Sequence, residues 1–335
     1  MSQIGVVGAG SWGTALASLL AKKGNGVQLW AYESQVAKEI QSLNENSTYL
    51  SDIKLPSNLQ CTTDMAQVLN DAEIVVSVSP SQFVGDIMNK AVSHMRDDAL
   101  VVSASKGIEA SSLRRMDEVL SNVLKPSHMK NFSVLSGPSF AREVALEEPT
   151  AVVVASQHQN IALQMQELFQ TNYFRVYIGD DVIGVELAGA IKNVIALGAG
   201  VTVGLGFGSN TMSALVTRGL AEIRRLGMAM GAKPETFSGL AGIGDLLLTC
   251  TGSLSRNRSV GLRLGQGENL ASILKDMNGV AEGVNTTKAV YDLAKHYQVE
   301  MPITEEIYGI LMLGTEPRKA LQNLMERDPK PEEWH

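Results

Sequence analysis

Lys192 is the residue in this chain best placed to move a proton. It lies in Glu186-Leu187-Ala188-Gly189-Ala190-Ile191-Lys192-Asn193-Val194-Ile195-Ala196-Leu197, where nearly every neighbour is small or apolar. At helical spacing it faces Ala188, Gly189, Ile195 and Ala196. An amine held there loses hydration, which lowers its pKa toward a value useful for proton transfer. A lysine snorkelling from a helix edge is the alternative. Asn193, a second polar interruption of the apolar run, tips the reading toward function. Asp245, in Gly242-Ile243-Gly244-Asp245-Leu246-Leu247-Leu248-Thr249, puts a carboxylate at an expected helix start. It is either a helix cap or the partner of a lysine across a cleft. Ser255-Arg256-Asn257-Arg258 is a cationic loop in an acidic chain. Its guanidinium fork could hold a phosphate bidentately, with Asn257 and Ser255 adding donors, and a solvated basic turn fits the composition equally well. The glycine-flanked loop Gly279-Val280-Ala281-Glu282-Gly283 has no role that spacing alone reveals.

A second kind of chemistry is written near the start. Ile4-Gly5-Val6-Val7-Gly8-Ala9-Gly10-Ser11-Trp12-Gly13 is an apolar strand entering a glycine turn, and Thr14-Ala15-Leu16-Ala17 then opens a helix. Gly8, Gly10 and Gly13 fit G-x-G-x-x-G: a tight turn, close backbone approach to a pyrophosphate, and close helix–strand packing. The helix N-terminus would carry the pyrophosphate. The next strand, Val27-Gln28-Leu29-Trp30-Ala31, leads through Tyr32 to Glu33. Glu33 stands about 20 residues past the last glycine, where such folds place a ribose-binding acid. The context favours cofactor binding over a turn that only packs a helix on a strand.

Three later strand ends open on the same kind of crevice. Pro80, in Ser77-Val78-Ser79-Pro80-Ser81-Gln82, stops a strand; the loop reads as a turn with Ser81 as helix cap and as a lining of the cofactor ribose, and both can hold. Lys106, in Ser103-Ala104-Ser105-Lys106-Gly107, faces the crevice or solvent, and position alone does not separate the two. In Ser136-Gly137-Pro138-Ser139-Phe140-Ala141, Gly137 permits close approach and Ser139 sits at a cap position.

The elements that must position these residues form two blocks. Apolar runs at Ile74–Val78, Leu100–Ser103, Ser133–Leu135, Ala151–Ala155 and Phe174–Ile178 alternate with helical stretches such as Phe83 to His94 and Asn160 to Phe169. That alternation predicts an α/β Rossmann-type domain with a doubly wound, mostly parallel sheet over residues 1–180. Helical patterns at Val182 to Leu197, Met212 to Met230 and Gly283 to His296 predict an all-α domain over 181–328, with 329–335 a disordered tail. A catalytic cleft between the two is the expectation.

Bulk composition narrows the class. The chain has 335 residues, is 44% hydrophobic and carries a formal net charge of -7, which argues against a nucleic-acid binder with a general basic surface. Its two cysteines, Cys61 and Cys250, have no metal spacing and read as buried thiols in a reducing compartment. No His/Cys/Asp cluster calls for a metal. The start lacks a targeting pattern, and the apolar stretch Val194 to Phe207 falls short of the roughly 18 residues of a membrane span. A cytoplasmic protein without membrane insertion is expected; a homodimer is also expected, though no feature of the composition fixes the assembly.

Together these segments resemble the bacterial NAD(P)-dependent glycerol-3-phosphate dehydrogenase family. Gly8 to Ala17, Ser105-Lys106-Gly107, Ser136 to Ala141, Lys192 to Ala196, Gly242 to Leu246, Ser255 to Arg258, Gly279 to Gly283 and Glu300 to Glu306 match in family order. The resemblance implies that Ser11 and Trp12 hold NAD or NADP beside the glycine turn, with Ala141 also touching it. It implies that Lys106 meets substrate and cofactor, and that Gly137 and Ser139 meet substrate. Lys192 is then the proton donor and acceptor. Asp245, Ser255, Arg256 and Asn257 bind glycerol 3-phosphate, and Arg256, Val280 and Glu282 also reach the cofactor. By analogy with related dehydrogenases, Thr249 assists near Asp245. The implied reaction is reversible hydride transfer between the nicotinamide and dihydroxyacetone phosphate, feeding phospholipid synthesis. The chain departs from the family at Tyr32-Glu33, where members often carry a basic residue suited to a 2′-phosphate. Two other readings compete: a 3-hydroxy-acid dehydrogenase on the same scaffold, and a non-catalytic dinucleotide sensor. The arginine-asparagine loop and Lys106 favour a phosphate-bearing substrate over the first, and the buried lysine is superfluous in the second.

Overall fold

The computed structural model describes residues 2–277 and 280–332. Ten strands occur among these: β1 Gln3–Val7, β2 Gly26–Trp30, β3 Leu59–Thr62, β4 Ile74–Ser77, β5 Leu100–Ser103, β6 Ile108–Glu109, β7 Arg114–Arg115, β8 Phe132–Ser136, β9 Thr150–Ala155 and β10 Phe174–Gly179. Eight form one sheet in the order β10-β9-β8-β5-β4-β1-β2-β3. The run from β3 to β8 is parallel, β9 is antiparallel to β8, and β10 is parallel to β9. Strands such as Ile74-Val75-Val76-Ser77 are buried throughout, as parallel strands covered on both faces must be. The strand order reverses at β1, which has β2 on one side and β4 on the other. Ligands of open α/β sheets bind at the carboxyl ends of such a switch point. The sheet matches the doubly wound, mostly parallel expectation. Strand β3 and the short ribbon β6–β7 were not anticipated: Leu59-Gln60-Cys61-Thr62 lacks the apolar run of the equally short β4 and β5, and two-residue strands carry no periodic signal.

The chain divides into two compact units, 1–106 with 115–182, and 107–114 with 183–335. A single boundary at 180/181 is therefore corrected. The segment 107–114 belongs with the helices because Ile108, fully buried, is part of the helical core with Leu187, Ile191 and Ile195. The first unit has its own core, centred on residues such as Leu16, Leu20, Leu29, Phe169 and Phe174.

In the second unit the helix Val182–Gly204 is 23 residues long and apolar on every side. It is long and apolar enough to cross a membrane, which the shorter stretch Val194 to Phe207 weighed in the sequence is not, but 94% of its most apolar part is buried inside the fold. A helix hydrophobic all round is a core helix when its neighbours cover it. Two neighbours are the helices Ser209–Ala229 and Arg256–Gly265. The crossing with Arg256–Gly265 is made of glycine: a Cβ on Gly200 would lie 2.0 Å from the Arg258 carbonyl oxygen, and one on Gly261 would lie 2.0 Å from that of Leu197. The backbones therefore touch, with the last part of one helix fixed along most of the other.

The tail expectation also needs correction. Lys330 pairs with Glu300 at 2.7 Å, and Arg218 donates to the Glu332 carbonyl oxygen at 3.0 Å, so 329–332 are held by the helical unit. Residues 333–335 lie outside the described part of the chain.

Candidate active site

The glycine turn joins β1 to the helix Ser11–Lys22. Each glycine has a separate physical reason. Gly8 has φ +129°, and a Cβ there would lie 2.9 Å from the Val78 carbonyl oxygen. A Cβ on Gly13 would lie 1.9 Å from the Gly8 carbonyl oxygen, so this glycine lets the helix seat on the turn. Gly10 differs. Its φ of -69° suits any residue, and a Cβ there would meet no protein atom within 4 Å. Nothing in the fold requires this glycine, so the space it leaves suits something outside the chain. The helix that follows has no side-chain cap and no acidic residue in its first turn, which leaves its N–H groups and dipole for an anion. The Trp12 indole N–H beside it is buried with no hydrogen-bond partner among the described residues. These three observations fit a dinucleotide pyrophosphate.

Neighbouring strand ends are tied to this turn. Ser79 Oγ donates to the Val7 carbonyl at 3.1 Å, and Ser105 Oγ donates to the Ser79 carbonyl at 2.7 Å, linking the ends of β1, β4 and β5. Pro80 follows, exposed, as N-cap of a short 3-10 turn, so Ser81 is that turn's first residue rather than its cap. Lys106 Nζ and Ser139 Oγ both donate to the Gly137 carbonyl, at 3.0 and 3.1 Å. The structure thus gathers three residues that the sequence placed at two separate strand ends. Gly137 has φ +139°, and a Cβ would lie 2.9 Å from Val152 Cα, so only glycine fits. Ser139 caps no helix; Phe140 is the N-cap of Ala141–Ala145. Tyr32 is 77% exposed, and Glu33, at the end of β2, accepts a hydrogen bond from Tyr49 Oη at 3.0 Å.

The helical unit assembles the other group. Lys192 is 6% exposed and Asp245 1%. Lys192 Nζ lies 2.5 Å from Asp245 Oδ1 and 3.0 Å from Thr249 Oγ1. Thr249 Oγ1 spends its proton on the Asp245 carbonyl at 2.6 Å, so it presents a lone pair to the lysine. Two acceptors, one of them a carboxylate, therefore hold the Lys192 amine in place. Asp245 is not a cap and not across a cleft from Lys192. Gly244 is the N-cap, and Lys192, Asp245 and Thr249 all belong to the second unit. A π turn, Leu240–Gly244, delivers Asp245, kinked at Gly242 where a Cβ would lie 2.1 Å from the Phe237 carbonyl oxygen.

Ser255 to Arg258 is the N-cap and first turn of a helix, not a loop. Ser255 Oγ accepts from the Arg258 N–H at 3.2 Å. Asn257, buried, donates from Nδ2 to Asn193 Oδ1 at 2.9 Å and accepts from the Gly283 N–H at 2.9 Å. Its amide is thus spent on joining three helices. A Cβ on Gly283 would lie 2.8 Å from Asn257 Oδ1, so the glycine allows this bridge. Arg256 is exposed in the first turn, and Glu282 opens the helix Glu282–His296. Val280 is 37% exposed just before that helix, and Gly279 lies outside the described residues. Ala141 is half-buried at the start of its helix. Asn193, Asn46 and Tyr49 were passed over in the sequence as site residues. Asn193 stood next to the lysine and could have been found by its polarity in an apolar run, whereas Asn46 and Tyr49 sit in a segment with no motif.

A switch-point sheet with a glycine turn and a helical unit with a buried lysine–carboxylate pair define a two-domain, dinucleotide-dependent oxidoreductase. Family models described as NAD-dependent glycerol-3-phosphate dehydrogenase N-terminus and C-terminus match residues 3–162 and 181–322. The chain belongs to the NAD-dependent glycerol-3-phosphate dehydrogenase family. It is 54% identical over 330 residues to the glycerol-3-phosphate dehydrogenase [NAD(P)+] of Geobacter sp. (strain M21), covering 98% of both chains. It is 53% identical to the enzyme of that name from Geobacter sulfurreducens, covering 99% of both. The crystal structure of glycerol-3-phosphate dehydrogenase from Coxiella burnetii superposes with a TM-score of 0.92 at 39% identity, covering 97% of this chain and 99% of that one.

Proposed function

We propose that this chain catalyses reversible hydride transfer between NAD(P)H and dihydroxyacetone phosphate, giving glycerol 3-phosphate for phospholipid synthesis. The observation that carries the reading is Lys192, a buried lysine clasped by Asp245 and Thr249 in a chain of this family. When bound, the nicotinamide supplies the hydride to the carbonyl carbon. The chain's own residues handle the rest. Lys192 gives its proton to the carbonyl oxygen as charge builds there, and takes it back in the oxidising direction. Asp245 and Thr249 fix where the ammonium points. Lys106 meets developing charge, and each such contact is worth a few kcal/mol. Gly137 and Ser139 are substrate contacts of the nucleotide unit. Ser255, Arg256 and Asn257 anchor the phosphate, so that binding energy remote from the carbonyl positions it. Gly8, Gly10, Ser11, Trp12, Gly13, Tyr32, Glu33, Pro80, Ala141, Val280 and Glu282 are the proposed cofactor contacts.

The test follows the absorbance of reduced nicotinamide on adding dihydroxyacetone phosphate, dihydroxyacetone, or a 3-oxo acid. Oxidation that requires the phosphate supports the reading. Faster turnover of the 3-oxo acid would transfer it to the hydroxy-acid class, and cofactor binding without turnover would make the chain a sensor. The reading includes a cytoplasmic homodimer, which size-exclusion chromatography and cell fractionation check.

A further inference from the structure

Glu33 does not stand alone at the end of β2. Tyr49 Oη donates to its Oε1 at 3.0 Å, and among the described residues Oε2 takes no hydrogen bond. Tyr49 is itself fixed. Its ring packs on the first core, and its carbonyl accepts from Ser11 Oγ, in the glycine turn, at 2.6 Å. Its N–H donates to Asn46 Oδ1 at 3.1 Å. Asn46 is fully buried, and its Nδ2 donates to the Ala9 carbonyl at 2.9 Å and to Thr14 Oγ1 at 2.8 Å. The segment 46–49 is therefore stitched to the turn that would carry the pyrophosphate. The next residue along, Thr48, donates to Glu39 Oε2 at 3.2 Å, which brings a second carboxylate to the same segment. Lys38, the nearest cation in sequence, is exposed and makes no ion pair with Glu33 among the described residues.

We propose that Tyr49 is a positioning residue for cofactor choice: it holds Glu33 so that this chain takes NAD(H) and rejects NADP(H). The proposal rests on the dinucleotide-binding reading of the glycine turn. A carboxylate with one oxygen braced and one open accepts from a ribose 2′-hydroxyl. A 2′-phosphate at that place would instead meet the like charge of Glu33. A mobile glutamate could swing away from the phosphate at no cost; one tied to a core-packed tyrosine must give up that hydrogen bond to do so. Like charges held a few ångströms apart near a surface set a preference on the order of 100-fold.

Direct titration of NADH and NADPH into the full chain, without substrate, tests this. Nicotinamide fluorescence gives each dissociation constant. Wild type is expected to bind NADH roughly 100-fold tighter than NADPH. Glu33→Gln closes most of that gap. Tyr49→Phe keeps the ring and its packing, leaves the melting temperature unchanged, and narrows the ratio about five-fold through weaker NADH binding. Equal binding of the two dinucleotides by wild type overturns the proposal while leaving the oxidoreductase reading intact. A Tyr49→Phe ratio equal to that of wild type overturns the role of Tyr49. Binding of neither dinucleotide overturns the dinucleotide reading, and the preference with it.

Discussion

Gly10 and Gly13 show how differently two glycines of one motif are used. A methyl group at Gly13 runs into the Gly8 carbonyl, whereas one at Gly10 meets only open space. Gly13→Ala should therefore lower the melting temperature. Gly10→Ala should leave it unchanged and weaken NADH binding by roughly ten-fold or more, since a steric conflict with a ligand costs a few kcal/mol at most sites of this kind. Equal losses of stability in both would contradict this division of labour. Lys192→Ala removes the proposed proton source and should lower turnover about 10²- to 10⁴-fold with NADH affinity kept. It also strands the buried Asp245, at a cost of about 3 kcal/mol, so a thermal melt belongs beside the kinetics. Wild-type turnover in that variant would remove the lysine from the mechanism. Arg256→Ala should raise the KM for dihydroxyacetone phosphate about 100-fold while barely changing the reaction of dihydroxyacetone. A similar effect on both ketones would count against the phosphate anchor.

At the scale of elements, the decisive contact is one helix crossing. Val182–Gly204 carries Lys192, and Arg256–Gly265 begins at Ser255. Gly200 and Gly204 on one meet Gly261 and Gly265 on the other at backbone distance. Gly200→Ala would push a methyl group against the Arg258 carbonyl and the Leu262 N–H, forcing the helices apart. The expected loss is about 1–3 kcal/mol, with a raised KM for the phosphorylated ketone because the Asn193–Asn257 bridge loosens. Unchanged melting and KM would show that the crossing has slack. These glycines are what let a long helix pack here.

For the molecule as a whole, a second buried carboxylate sets a pH dependence. Glu222 accepts from the N–H groups of Ile303 and Thr304, at 2.6 and 3.1 Å, and from Thr304 Oγ1 at 3.0 Å. It thereby ties Ser209–Ala229 to the first turn of Pro302–Tyr308. Burial pushes its carboxyl up from 4.5 to about 7, against the three donors that favour the anion. A folded-state pKa above the unfolded one means that the folded chain keeps a proton the unfolded chain has released. The resulting stability is fully present below about pH 4.5 and is lost as pH rises through about 7. Wild type should thus lose melting temperature between pH 5 and pH 8 more steeply than Glu222→Gln, as calorimetry at the two values would show. Parallel slopes would assign the pH dependence to other groups.

The sequence by itself determined the sheet class, the glycine turn, the helical second half and the identity of the lysine. Those features are local: a period of two or 3.6, a glycine spacing, a charge in an apolar run. It did not reveal that Asp245 and Thr249 share a unit with Lys192, that both hold its amine, or that Ser255 opens a helix. Nor did it show that Tyr49 braces Glu33 or that 107–114 joins the second core. Each of these depends on residues far apart in the chain meeting at a few ångströms, and only packing brings them there. Propensity and spacing report what a segment can become, whereas burial and pairing report what its neighbours make of it.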